Sequence, residues 1–394
     1  MICIRGMLVI ALALGTATQA TANSRDQAQR LHNRLAGVPA DAATLDSMAA
    51  LIDGNQAAQA AEMAMDDPAF YNVTLKLFAT PWTNEEQDVF APLNDYTATV
   101  IGAIRDDVDF RRILSDDLLY VGNGSSGAPA PSASSNAHYQ ALEDNHANLK
   151  SVLVARSQVS TYGTPAEAVS GVLTTRAAAR AFFYAGTNRA MIRFTLINHL
   201  CRDLEQVKDT TRPSDRIRQD VSRSPGGDSR IFRNSCIGCH SGMDPLAQAF
   251  AYYDWQGDQD GNGGRMVYNT GVDADTGTRV QGKYLINSTN FPAGYITLDN
   301  HWDNYWRTGP NANLGWDSSL PGSGDSAADL GRELSHSDAF ASCQAQKVFR
   351  AVCLRKPADS ADSNELTQMT SHFRNDNYRM KTLFADAAVY CMGD

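Results

Sequence analysis

Hydrophobic positions recur at helical spacing over most of this chain. Ala-rich amphipathic stretches run through residues 25–36 and 44–65, and Val100, Ile104, Val108 and the Ile113–Leu114 pair carry the period across 100–119. Ile192, Leu196, Leu200 and Leu204 form one stripe, with Phe194, Ile197 and Cys201 beside it, wide enough for a buried helix. His199 on that helix reads as a core or surface histidine rather than a ligand. Thr83–Glu86 and Thr164–Glu167 match capping boxes, the second with Pro165 at the first helical position, and each predicts a helix start. Helices return at about 326–354 and 363–391, with Asp362 and Glu365 as a cap for the last. Strand-like patterns are confined to residues 265–268 and 278–286. The predicted fold is mainly α, a helical N-terminal region followed by a loop-rich segment with short strands and C-terminal helices.

Breaks in this pattern suggest an organisation. Residues 122–136 (GNGSSGAPAPSASSN) are low in complexity and read as a loop or linker. Residues 205–230 are charged, with Pro213 and Pro225-Gly226-Gly227, and read as a mobile approach to the cysteine-bearing segment at 236–240. Residues 254–325 are rich in Gly, Asp, Asn and Trp. No internal repeat stands out. At the N-terminus, Arg5, the apolar run Met7–Leu14 and Ala20-Thr21-Ala22 have the layout of a cleaved signal peptide. The run is too short to span a bilayer, and no later stretch is a transmembrane candidate. The expected division is a signal peptide at 1–22, a helical domain at 23–122, a linker at 123–136, a second helical domain at 137–225 and a final domain at 226–394.

Residues 236–240 read Cys-Ile-Gly-Cys-His, the C-x-x-C-H pattern of covalent haem attachment. Two thiols three positions apart suit the two vinyl-derived carbons on one porphyrin edge, and the adjacent histidine suits one face of the iron. The single occurrence implies one haem c, held by Cys236 and Cys239, with His240 as proximal ligand. Half a zinc site would need a second ligand pair at matching spacing, which Cys343 and Cys353 do not supply. A redox dithiol would need a βαβ context. The export signal agrees with haem, because such attachment takes place outside the bacterial cytoplasm. The expected location is periplasmic or secreted.

For the sixth iron position the candidates are Met266 and His301, in the loop-rich region, with His336, Met369 and Met380 more remote. Met243 is one turn from His240 and cannot reach the opposite face. Trp302, Trp306, Arg265 and Arg307 are candidates for the haem edge and propionates, and the tryptophans serve equally well as core plugs. A turn carbonyl from Met243-Asp244-Pro245 is the expected acceptor for the second nitrogen of His240, with Asp244 organising the turn. Asp258, Asp260 and Asn262 match the first half of a calcium loop, D-x-D-x-N-G. The closing glutamate is replaced by Asn269, which favours an exposed turn over calcium.

Beyond the signal, Cys201, Cys343, Cys353 and Cys391 remain, enough for two disulfides in an oxidising compartment. If residues 338–353 form one helix, Cys343 and Cys353 stand about 15 Å apart along it, beyond the roughly 7 Å a disulfide spans. Each then pairs with Cys201 or Cys391. The chain is acidic, with formal net charge −10 over 394 residues, which argues against nucleic acid as a partner. An acidic surface suits a basic redox partner, and also suits any soluble exported protein.

From about Gly171 the chain resembles the planctomycete-type cytochrome c proteins, exported single-haem proteins built of domains of unknown function. The likeness starts at Gly171–Thr174 and Asn188–Leu204 and peaks at Cys236–Phe250 (CIGCHSGMDPLAQAF). It continues through Tyr253-Asp254, Arg265 and Val272–Gly277 and ends at Phe373–Tyr390. Ala247 stands where the family has glycine, the insertion at 257–264 is longer, and Phe349–Cys353 lacks the family's Tyr-Ala-Leu-Gly-Arg run. The resemblance implies covalent haem and export. The expectation is thus an exported monohaem c-type cytochrome that exchanges electrons with a redox protein partner. The alternatives are a haem enzyme with an open distal site, peroxidase-like or an oxidase subunit, and a secreted structural module stabilised by haem or calcium.

Overall fold

The computed structural model describes residues 23–258 and 263–393. The expected signal at 1–22 and the calcium-loop residues Asp260 and Asn262 lie outside the described residues. The architecture is mainly α, with three two-stranded antiparallel ribbons. These pair β1 (Leu119–Gly122) with β2 (Leu153–Arg156), β3 (Tyr253–Gln256) with β4 (Arg265–Tyr268), and β5 (Trp302–Asp303) with β6 (Ser323–Gly324).

Three helices open the chain, Ser24–Ala36, Ala42–Asp53 and Ala57–Met65. Asn23 and Asp41 start the first two by accepting the backbone N–H groups of Asp26 and Thr44. The C-terminal helix Met380–Cys391 packs on the first and third of these and on Asp338–Cys353, with Ser360–Asn375 beside them. One hydrophobic cluster includes Ala28, Phe70, Tyr96, Phe194, Leu246, Phe349 and Phe384. It draws on residues either side of the 123–136 segment, so the first and last helices share a core.

Several boundaries differ from the sequence pattern. Thr83 ends a 3-10 turn, and the next helix is Asp95–Arg105, capped by Asn94. Asn84 instead bonds Thr80 and Asp88 and closes a loop, since the polar groups that cap helices also stabilise turns. The second capping box yields a short 3-10 turn, Ala166–Ala168. The 100–119 stretch breaks after Arg105 into a 3-10 turn, Phe110–Leu114, and then β1. Residues 278–286 hold a 3-10 turn, Gly282–Leu285, in place of a strand. The expected 326–354 and 363–391 helices are each two, and Asp359, not Asp362, caps Ser360–Asn375.

Two findings bear on the site. Asp338–Cys353 is one continuous helix, and Cys343 bonds Cys201 while Cys353 bonds Cys391, at Cα separations of 5.2 and 5.5 Å. Residues 205–230 are bonded throughout rather than a mobile approach. Arg216 pairs with Asp303 at 2.6 Å, and Asp209 and Arg218 are buried. Charged residues predict solvent only when no partner from elsewhere meets them.

Candidate functional site

The motif lies in a helix with an irregular start. Asp228 caps the turn Ser229–Ile231, a π turn follows over Phe232–Cys236, and Ile237–Ala247 continues as α-helix. Such π turns inside helices are frequent at functional sites. Phe232 anchors the segment in a small cluster with Ile217 and Val221, against which Cys236 and Ile237 pack. Two glycines let other segments close on this helix. A Cβ on Gly238 would stand 2.6 Å from Lys208 Cγ, where Asp209 N–H donates to the Gly238 carbonyl at 2.9 Å. A Cβ on Gly242 would stand 2.0 Å from the Trp306 indole nitrogen.

Cys236 and Cys239 are free thiols, both part-buried, and the four other described cysteines are in disulfides. At i and i+3 of a helix they are neighbours on one face, with Cβ atoms about 5–6 Å apart. Burial, and then the nearby Glu205 carboxylate, push the Cys239 thiol up, so it is held protonated.

His240 is 21 % exposed and its Nδ1 lies 3.1 Å from Oδ1 of the fully buried Asp244. The acceptor is therefore the Asp244 side chain and not a turn carbonyl. The helix runs on past Pro245 through Ala247, which brings the i and i+4 side chains together. An ionised carboxylate only accepts, so Nδ1 is the donor in this contact. Nε2 has no hydrogen-bond partner among the described residues.

Asp244 is ionised because of what surrounds it. Burial alone would raise its pKa. The Arg189 guanidinium, bonded to both oxygens at 2.6 and 2.8 Å, and the Arg218 charge outweigh that and hold it well below the usual range. Arg218 also donates its backbone N–H to Asp244 at 3.3 Å and bonds Thr187 through its guanidinium. Arg189 reaches Asp220 as well, at 2.5 and 2.9 Å. Two arginines and two aspartates balance one another in this network.

Of the other sequence candidates, Trp306 packs on the motif helix at Gly242. Met266 sits on β4 opposite Trp255 and lines a cavity of about 250 Å³ with Tyr162, Thr174, Arg176 and Arg265; the motif residues do not line it. His301 pairs with Asp325 at 2.7 Å and approaches Asp303 at 3.7 Å. Trp302 and Trp306 are fully buried plugs, and Arg307 is tied to Glu333 at 2.7 Å. Asp258 is exposed, and no group of three or more metal-ligating side chains occurs among the described residues. Arg189, Arg218 and Asp220 had no signal in the sequence. Asp244 had one, its i+4 spacing from His240.

No helix among the described residues is long and apolar enough to cross a membrane. The chain matches no family model, no curated protein and no solved structure, so the cytochrome resemblance rests on the residues quoted for it.

Proposed function

We propose that this chain is an exported monohaem c-type cytochrome that exchanges electrons with a redox partner. The observation that supports this reading best is the sorting of cysteines. Two disulfides take four thiols and leave free the pair that precedes a histidine in C-x-x-C-H. The disulfides also agree with an oxidising compartment.

The residues fit a covalently held haem. Cys236 and Cys239 would hold it, each S–H adding across one vinyl C=C, sulfur to one carbon and hydrogen to the other, with no oxidant consumed. His240 would ligate the iron through Nε2, the nitrogen that Asp244 leaves free. Bound there, the haem supplies a one-electron couple. Asp244 holds the proton on Nδ1 and fixes the ring, while Arg189 and Arg218 hold Asp244 ionised.

The same pair favours a second reading. A carboxylate behind the imidazole raises its basicity, which stabilises oxidised iron and suits a haem enzyme with an open distal position.

The test is an optical spectrum, oxidised and dithionite-reduced, of protein exported from a host with haem-maturation machinery, followed by CO. Haem that stays on the denatured chain and ignores CO supports the electron carrier. Covalent haem that binds CO moves the enzyme ahead. No covalent haem, or covalent haem retained after Cys236→Ala with Cys239→Ala, overturns both.

A further inference from the structure

Beside the motif helix lies a cleft of about 450 Å³, within the size range of small-molecule sites. Its apolar wall is Ile217, Phe232, Phe291 and Tyr295. Ile217 and Phe232 belong to the cluster on which Cys236 packs, so the wall continues to the first thiol of the motif.

Two cations open into this cleft, Arg223 and Arg233. Arg223 is part-buried, its guanidinium 4.8 Å from the Phe232 ring centre and 4.3 Å from that of Phe291. Its hydrogen bonds run to the carbonyls of Val221 and Ile217. Arg233, one residue past Phe232, is exposed and has no hydrogen bond or ion pair among the described residues. No carboxylate is within ion-pair range of either among the described residues. The one acidic residue lining the cleft, Asp215, accepts the Tyr305 hydroxyl at 3.2 Å. Elsewhere on this segment arginines are matched, Arg230 to Asp228, Arg216 to Asp303 and Arg212 to Asp209. The Asp244 and Asp220 charges reach Arg223 only from a distance, with burial the larger influence on it; a part-buried guanidinium with no directly bonded carboxylate is costly, and its fork geometry matches a carboxylate.

We infer that the Arg223–Arg233 cleft is an anion subsite that takes the carboxylate edge of a tetrapyrrole bonded at Cys236 and Cys239. This rests on the haem reading above. The apolar wall would cover the ring and the two guanidiniums would compensate its carboxylates.

The experiment is redox titration of the haem-loaded, full-length protein and its Arg233→Gln, Arg233→Lys and Arg223→Gln variants, with covalent haem per chain measured on the denatured samples. Arg230→Gln is the control. Loss of a cation beside the carboxylates favours ferric iron. The expected result for Arg233→Gln is a tenfold shift of the ferric/ferrous equilibrium, about 59 mV for a one-electron couple. Arg233→Lys and Arg230→Gln should stay near the parent. Arg233 is exposed, so its variant carries the test even if Arg223→Gln fails to fold. Covalent haem with parental potential in Arg233→Gln overturns the subsite alone. Absence of covalent haem in the parent protein overturns the haem reading and the subsite together.

Discussion

His240 and Asp244 are one helical turn apart, and the imidazole Nδ1 meets a carboxylate that is entirely buried, at 3.1 Å. The aspartate is set by the tertiary structure and the histidine faces outward from it. Removing the two residues should therefore have unequal effects.

Asp244→Asn leaves Arg189 and Arg218 with Asp220 as the one remaining carboxylate of the network. Stranding buried charge costs about 3–5 kcal/mol. His240→Ala removes a part-exposed ring with one hydrogen bond and should cost about 1 kcal/mol or less. Urea unfolding of the haem-free protein measures both. Equal losses would show that Asp244 is not held by the arginines.

Gly242→Ala should destabilise the protein by about 1–3 kcal/mol, because the new methyl would meet the buried Trp306 indole at 2.0 Å. Thermal unfolding followed by tryptophan fluorescence reads the loss and any displacement of Trp306. An unchanged midpoint would contradict the packing.

Lys347 lies over the Trp82 ring at 4.7 Å, and no carboxylate pairs with it among the described residues. Burial, with Arg350 nearby, pushes its ammonium down from 10.5 to about 7. Between those two values the unfolded chain binds more protons than the folded one, so stability rises with pH there. Below the folded value the charged form is present in both states and its burial opposes folding in full. Lys347→Met should stabilise the protein at pH 6 by on the order of 1–2 kcal/mol once solvent screening of the part-exposed group is included. The gain should shrink toward pH 10. A gain independent of pH would rule out titration of Lys347 as its cause.

The two disulfides close stretches of very different length, 142 residues for Cys201–Cys343 and 38 for Cys353–Cys391. Chain-entropy arguments give about 4–5 kcal/mol for a long loop and about 3–4 for a short one. Serine pairs at each bridge, compared by guanidinium unfolding, should rank in that order. The reverse order would mean that strain or residual structure outweighs loop closure.

The helical character of this chain was legible because apolar period survives tertiary detail, and Ile192, Leu196 and Leu200 are buried as their stripe predicts. The cysteine partition was legible too, since the length of Asp338–Cys353 forbids an internal bond. Capping boxes at Thr83 and Thr164 misled because the same side chains serve turns. At the site, the thiols and His240 are local and readable. Asp244 stands at helical spacing from His240, but the proline after it suggests a turn. Arg189 and Arg218, 55 and 26 residues from Asp244, reach it through tertiary packing that no local pattern encodes.

The Cys201–Cys343 bond also turns the segment it spans into a covalent ring, and that ring contains the motif, Arg218, Asp220 and Asp244, and the β3–β4 and β5–β6 ribbons, while Arg189 reaches Asp244 from outside it. One cut by a protease anywhere inside it opens the ring without detaching either piece. Nicked molecules would therefore migrate as a single species on a non-reducing gel and separate into two fragments only after reduction. Such a cut would leave the motif-bearing fragment tethered to the rest of the fold.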